Sequence, residues 1–319
     1  MRILLRIAVA ALMFAAPASA QAGTATLTYL NAPAPGTPIT EPPRLSLSFG
    51  GSTLRAVMDT GSTGIVVAAD AIPGAEKLPG PNGVLTYSSS GRIMRGRWLT
   101  VPATIAGADG RITTAPLPVL AVTREDCLAQ ARNCKPLDHP QHVAVIGIGF
   151  GREADHQPQS TPDHNPFLAV PGIRQPGYIV TSRTVRVGLD GADLHGFATV
   201  ALTRSDRWPD WNQAPACIAA GDAPPTCGLS LMDTGVVRMY LSVPGAPLHD
   251  GTALRFLLGG EKTVVTYGFT MGQHASPMAP ESVVVTSNTH PFVNLTVRFL
   301  NGFDYFFDST SGEVGYRKR

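Results

Sequence analysis

The tripeptide Asp-Thr-Gly occurs twice, at Asp59-Thr60-Gly61 and Asp233-Thr234-Gly235, 174 positions apart. Each copy ends an apolar stretch closing in Met-Asp (Leu54 to Asp59, Leu229 to Asp233) and is followed by a second apolar stretch (Ile65-Val66-Val67, Val236 to Leu241). The pattern reads as strand, tight turn, strand, with a carboxylate on each turn. A carboxylate between buried strands is costly unless something pairs with it or uses it. Two of them in matching settings predict a paired-carboxylate site built from two similar halves.

Composition narrows the fold class. The chain has 319 residues, enough for one large or two ordinary domains with real cores. Charged residues are only 15%, while Gly (33) and Pro (28) are plentiful, which suits many short strands joined by turns. A formal charge of +2 with no Lys/Arg run argues against nucleic acid as a partner.

The N-terminus has the form of a secretory signal peptide over residues 1–20. Arg2 and Arg6 precede an apolar run from Ile7 to Ala16, and Ala18-Ser19-Ala20 is an Ala-x-Ala cleavage site. The run is short for a bilayer span, so the expectation is a secreted or periplasmic protein with no membrane insertion after cleavage. Export suits disulfides among Cys127, Cys134, Cys217 and Cys227. Three pairings are open to four cysteines; proximity favours Cys127–Cys134 and Cys217–Cys227. Their spacings are wrong for a zinc site, and no metal or other cofactor is implied.

Alternating polar and apolar residues predict strands at 25–30, 44–49 and 53–59, then a hairpin over 83–105 turning at Ser88-Ser89-Ser90-Gly91. Further strands are expected at 117–122, 143–148, 178–187, 197–203, 252–258, 262–270, 281–286 and 292–307, with short helices at 124–133 and 163–170. The polar segment 152–177 reads as a long surface loop. His139, His142, His156 and His164 are irregularly spaced around it and read as solvated side chains. Trp208 and Trp211 read as packing or surface aromatics.

With both loops and their surroundings in view, the chain resembles the pepsin-like aspartic proteases. Asp59-Thr60-Gly61-Ser62-Thr63-Gly64 is close to that family's first loop, and Thr86-Tyr87-Ser88-Ser89-Ser90-Gly91 falls where the family has its flap and flap tyrosine. Val145-Ile146-Gly147 is similar to its hydrophobic-hydrophobic-Gly segment, and Val187-Gly188-Leu189-Asp190 to its passage into the second lobe. Cys217 and Cys227 lie where the family has a disulfide, and Tyr305 to Tyr316 resembles its closing strands.

The resemblance implies an all-β, two-lobed fold with the active site in the cleft. The N-terminal lobe is expected over 21–190 and the C-terminal lobe over 191–319. It also implies an aspartic endopeptidase with Asp59 and Asp233 as the catalytic pair and Thr60, Gly61, Ser62, Thr234 and Gly235 supporting the loops. Tyr87, Ser88, Ser89 and Gly91 would form a flap over a peptide or protein substrate, and one chain carrying both loops would work as a monomer. The alternative is a protease-fold protein that binds peptides or a protein partner with little or no cleavage.

Three positions depart from the family pattern. Val236 stands where a hydroxyl residue is usual, so Asp233 is expected to have fewer hydrogen bonds than Asp59 and to be the proton holder for that reason. Val66 replaces a tryptophan that anchors the flap tyrosine, so a looser Tyr87 is expected. Thr296 occupies the Gly position of the second hydrophobic-hydrophobic-Gly segment, and Asn294-Leu295-Thr296 is a glycosylation sequon on an interior strand.

Overall fold

The computed structural model describes residues 23–131, 133–153, 155, 157 and 161–319; the expected signal segment and His156 lie outside the described residues. The chain is almost wholly β, and its strands form three sheets. One ten-stranded sheet is built from the first half, between Arg44 and Ile148, and a seven-stranded sheet from Ala214 to Leu295. A six-stranded sheet joins the two ends of the chain, pairing Ala25–Thr28, Gly177–Val180 and Thr184–Val187 with Phe303–Asp308, Glu313–Lys318 and Ala198–Ala201.

Each half repeats one arrangement around its Asp-Thr-Gly turn. Thr53–Asp59 and Thr63–Ala68 are the two arms of the first turn, and Ala144–Ile148 runs between them, parallel to one and antiparallel to the other. In the second half Thr226–Met232 and Met239–Ser242 are the arms, and Phe292–Leu295 lies between them with the same senses. Gly147 pairs opposite Asp59 because the first turn folds directly over it: a Cβ there would press on the Ser62 and Gly64 backbone. The equivalent Thr296 instead turns its hydroxyl to accept from Arg298 N at 3.3 Å, capping the short 3-10 helix Val297–Asn301.

The apolar alternation read from the sequence becomes the core. Ile65, Val67, Val119, Ile146 and Ile148 pack under the first turn, while Phe150 and Phe307 stack at 4.2 Å beside the Tyr178 ring. The disulfides are Cys127–Cys134 and Cys217–Cys227, the second closing a cross-strand pair.

Several elements differ from expectation. Residues 124–127 extend the strand Leu117–Cys127 rather than starting a helix, because they pair with Arg92–Arg95. The span 292–307 is not one strand but two, separated by the 3-10 helix, and 178–187 is likewise two strands. Of 163–170 only Asp163 and His164 are helical, as the end of the 3-10 turn Pro162–His164. The strand Ala214–Ala220 escaped notice because its alanines and Pro215 carry little β signal. Nor is 152–177 simply a surface loop. Arg152, Asn165 and Phe167 are buried there, and Asn165 ties the segment to the Ile148 carbonyl at 2.7 Å.

Candidate active site

The two turns meet tip to tip. Thr60 N–H donates to the Thr234 hydroxyl at 3.1 Å, and Thr234 N–H donates to the Thr60 hydroxyl at 3.0 Å. Each hydroxyl then donates across the join, Thr60 to the Met232 carbonyl and Thr234 to the Met58 carbonyl, both at 2.8 Å. Four buried backbone groups are thereby satisfied by a reciprocal lattice built on two facing hydroxyls.

That lattice sets Asp59 and Asp233 face to face, each under a tenth exposed. The glycines make the approach possible. A Cβ on Gly61 would collide with the Asp233 carboxyl, and one on Gly235 would press on Asp59. Asp59 accepts from Gly61 N–H at 2.7 Å and from the Ser62 hydroxyl at 2.6 Å. Asp233 accepts from Gly235 N–H at 2.9 Å and from the Asn294 amide at 2.6 Å.

The expected shortage of hydrogen bonds at Asp233 is therefore wrong. Asn294, read in the sequence as part of the second family segment and of a sequon but not as a partner of Asp233, reaches across from the strand between the arms and supplies the donor that Val236 cannot. The Asp233 carboxyl nevertheless sits well above the usual carboxylate range. Burial is the main cause and the facing Asp59 the next, against the pull of the Asn294 amide and the Arg152 guanidinium. Arg152, a buried cation next to the cleft, was also missed, being in the stretch read as solvated loop.

Strands Asn82–Tyr87 and Arg92–Val101 form the expected hairpin, turning at Ser88 to Gly91 with Gly91 at a φ of 73°. Tyr87 packs on an apolar cluster containing Val66, Leu85, Met94 and Trp98. Its buried hydroxyl lies toward Ser62 without a well-formed hydrogen bond, and burial followed by the Asp59 charge raises its pKa. Val66 sits in that cluster beside Trp98 from the hairpin's own strand, so the ring is packed while its hydroxyl has no hydrogen-bond partner. The hairpin tip is tied to both walls: the Ser88 hydroxyl donates to Asp155 at 3.0 Å, and Ser89 O accepts from the Tyr240 hydroxyl at 2.6 Å. Asp155 is itself ion-paired with Arg152.

Beneath the hairpin runs a cleft of about 1890 Å³ with both aspartates in its floor and Val57, Val145, Leu229 and Leu231 along it. Its volume suits an extended peptide better than a small metabolite. Of the other residues flagged in the sequence, His142 lines the cleft wall, while Trp211, His139 and His164 lie elsewhere. Trp211 is buried, donates to the Ser309 carbonyl at 2.9 Å and carries Arg204 over its ring. His164, expected to be solvated, is buried instead, its ring tilted against Trp98 at 4.7 Å, and burial lowers its pKa; His139 and His142 are exposed as expected.

No family profile and no curated protein sequence matches the chain. Its structure is similar to that of an aspartic proteinase from Irpex lacteus, with a TM-score of 0.55 and 14% identity, over 92% of this chain and 97% of that one. The fold is that of the pepsin-like aspartic proteases. At that identity the likeness reaches the architecture alone, so the pepsin-like fold places the two turns and their cleft, and the chemistry rests on the residues above.

Proposed function

We propose that the protein is an aspartic endopeptidase with Asp59 and Asp233 as its catalytic pair. The observation that carries this reading is the pair itself: two buried carboxyls from threonine-locked turns, facing one another in the floor of a peptide-sized cleft, one of them held protonated above the usual range. Two such carboxyls share one proton over an acidic range. With that proton on Asp233, Asp59 is the base that draws a proton from a bound water, while the Asp233 hydroxyl polarises the scissile carbonyl. Attack gives a tetrahedral gem-diol, which collapses as the amine leaves with a proton. Tyr87, Ser88, Ser89 and Gly91 close over the extended substrate, which adds to the hairpin as a further strand.

The same reading takes residues 1–20 as a removed export signal, with lobes over 21–190 and 191–319 in a monomer released to the periplasm or beyond. The two disulfides fit an oxidising compartment.

The second reading is a protease-fold protein that binds peptide without cutting it. What favours it is the hairpin tip bonded to both walls, which covers the cleft. Digestion of an unfolded protein between pH 3 and 7, with and without a pepstatin-like inhibitor and beside Asp59→Ala, separates the two. Inhibitor-sensitive cleavage lost in the variant supports the endopeptidase. Binding of peptide by folded protein with no cleavage at any pH supports the other.

A further inference from the structure

The two halves differ at two symmetry-related places, and the differences are complementary. In the first half the residue after Asp-Thr-Gly is Ser62, and the strand between the arms presents Val145, opposite Val57. In the second half the residue after Asp-Thr-Gly is Val236, and the strand between the arms presents Asn294, opposite Leu231. Val57 and Leu231 each lie two residues before their aspartate, so Val145 and Asn294 occupy equivalent positions. The hydrogen-bond donor and the valine have exchanged places. Ser62 donates to Asp59 Oδ2 at 2.6 Å and Asn294 to Asp233 Oδ2 at 2.6 Å, so each carboxyl keeps two donors by a different route.

Resting on the reading of Asp59 and Asp233 as a working pair, we infer that Asn294 is a positioning residue for Asp233, standing in for the absent loop hydroxyl and setting the pH at which that carboxyl gives up its proton.

The rest of the amide supports this. Asn294 is 4% exposed and its Oδ1 is buried without a partner. An orphaned buried acceptor is unfavourable, so a residue placed merely to fill space would be better as leucine. The amide also suits either state of its neighbour. Nδ2 donates to the ionised carboxyl, and after a flip Oδ1 can accept from the protonated one. The charged and titratable groups that face Asp233 from the other packed elements are Asp59 on the first turn, Arg152 beyond the strand Ala144–Ile148, and Tyr240, which Arg238 faces in turn. Asp59 shares a side-chain hydrogen bond with Asp233 that favours its protonated form, whereas the Asn294 amide donates to Oδ2 and favours the ionised one.

The test is the titration midpoint of the Asp233 carboxyl in the mature chain, followed by carbon-13 NMR on aspartate-labelled protein and assigned by its disappearance in Asp233→Asn. Asn294→Leu removes a donor to the ionised form, so the midpoint is expected to rise by about one pH unit. Adding Val236→Thr to that variant restores a donor from the loop and is expected to bring the midpoint most of the way back. Val236→Thr alone is expected to move it by less than a third of a unit, because Oδ2 is already served. An unmoved midpoint in folded Asn294→Leu overturns the inference. So does a Val236→Thr shift of equal size in both backgrounds. Should Asn294→Leu fail to fold, Val236→Thr alone still decides, since a full-unit fall would contradict the inference. None of these readings needs turnover. Midpoints in the expected order without peptide cleavage would count against the endopeptidase and leave the role of Asn294 standing.

Discussion

The Tyr240 hydroxyl donates to the Ser89 carbonyl across 2.6 Å, joining a strand of the second half to the tip of the hairpin that covers the cleft. On the endopeptidase proposal, a substrate that lifts the hairpin tip breaks this bond and the one from Ser88 to Asp155. The closed state is therefore stabilised without substrate, and the free protein's open population is reduced by that amount.

Tyr240→Phe keeps the ring and removes the tie. A neutral hydrogen bond is worth about 1 kcal/mol. The variant is therefore expected to show a KM several-fold lower, with kcat little changed, on an unstructured peptide. An unchanged or raised KM would show that the tie does not resist opening.

The threonine lattice predicts a stability effect. Thr60→Val removes a hydroxyl that donates to the Met232 carbonyl and accepts from Thr234 N–H, and so orphans two buried backbone groups. The expected loss is about 2 to 4 kcal/mol, read by urea denaturation. Thr234→Val should cost a similar amount, and the double variant less than the two together, because both remove parts of one network. Additive losses would contradict a shared lattice.

A pH dependence follows from Asp210, whose carboxyl is pushed up to about 6 by burial although Gly151 and Trp211 N–H groups donate to it. Because the folded state holds this proton more tightly than the unfolded chain does, the group contributes most stability in acid. That contribution falls as pH rises from about 4 to about 6 and is flat above. Its full size is about 3 kcal/mol at most. Asp233, raised by burial and by Asp59, works in the same sense. Denaturation free energies of wild type and Asp210→Asn between pH 4 and 7 check it. The variant is expected to lose much of the downward slope, and an identical slope would refute the assignment.

The disulfide Cys217–Cys227 bridges neighbouring strands just before the second turn. Replacing both cysteines by serine is expected to cost about 2 to 3 kcal/mol, the loop-closure value for a loop this short. Melting curves of the wild type and the double serine variant, both with Cys127–Cys134 intact, would show it, and no difference would mean that the sheet alone holds that corner.

What could be read in the chain beforehand follows physical locality. The two turns, the hairpin and its Tyr87, and most strands are coded by neighbours in sequence: alternation, Gly turns, and Met-Asp before Thr-Gly. Cysteine proximity also pointed to the observed pairing. Asn294 and Arg152 were not legible as partners of Asp233, because each arrives from a distant segment and carries no local signal. Their placement is a product of strand register, which is set by tertiary packing. For the same reason the proton-holding tendency of Asp233 was anticipated from a shortage of donors that does not exist. The operative causes are burial and the charge opposite. The helix expected at 124–133 failed in the same way, overridden by pairing with Arg92–Arg95.

The central claim is that Asp59 and Asp233 act as one unit on peptide bonds. Asp59→Asn and Asp233→Asn, each isosteric, should be compared with wild type for cleavage of an unfolded protein at pH 4, with circular dichroism confirming the fold. The account predicts that wild type cuts and that each single variant loses at least about a thousandfold in rate. Cleavage retained by either folded variant would contradict it.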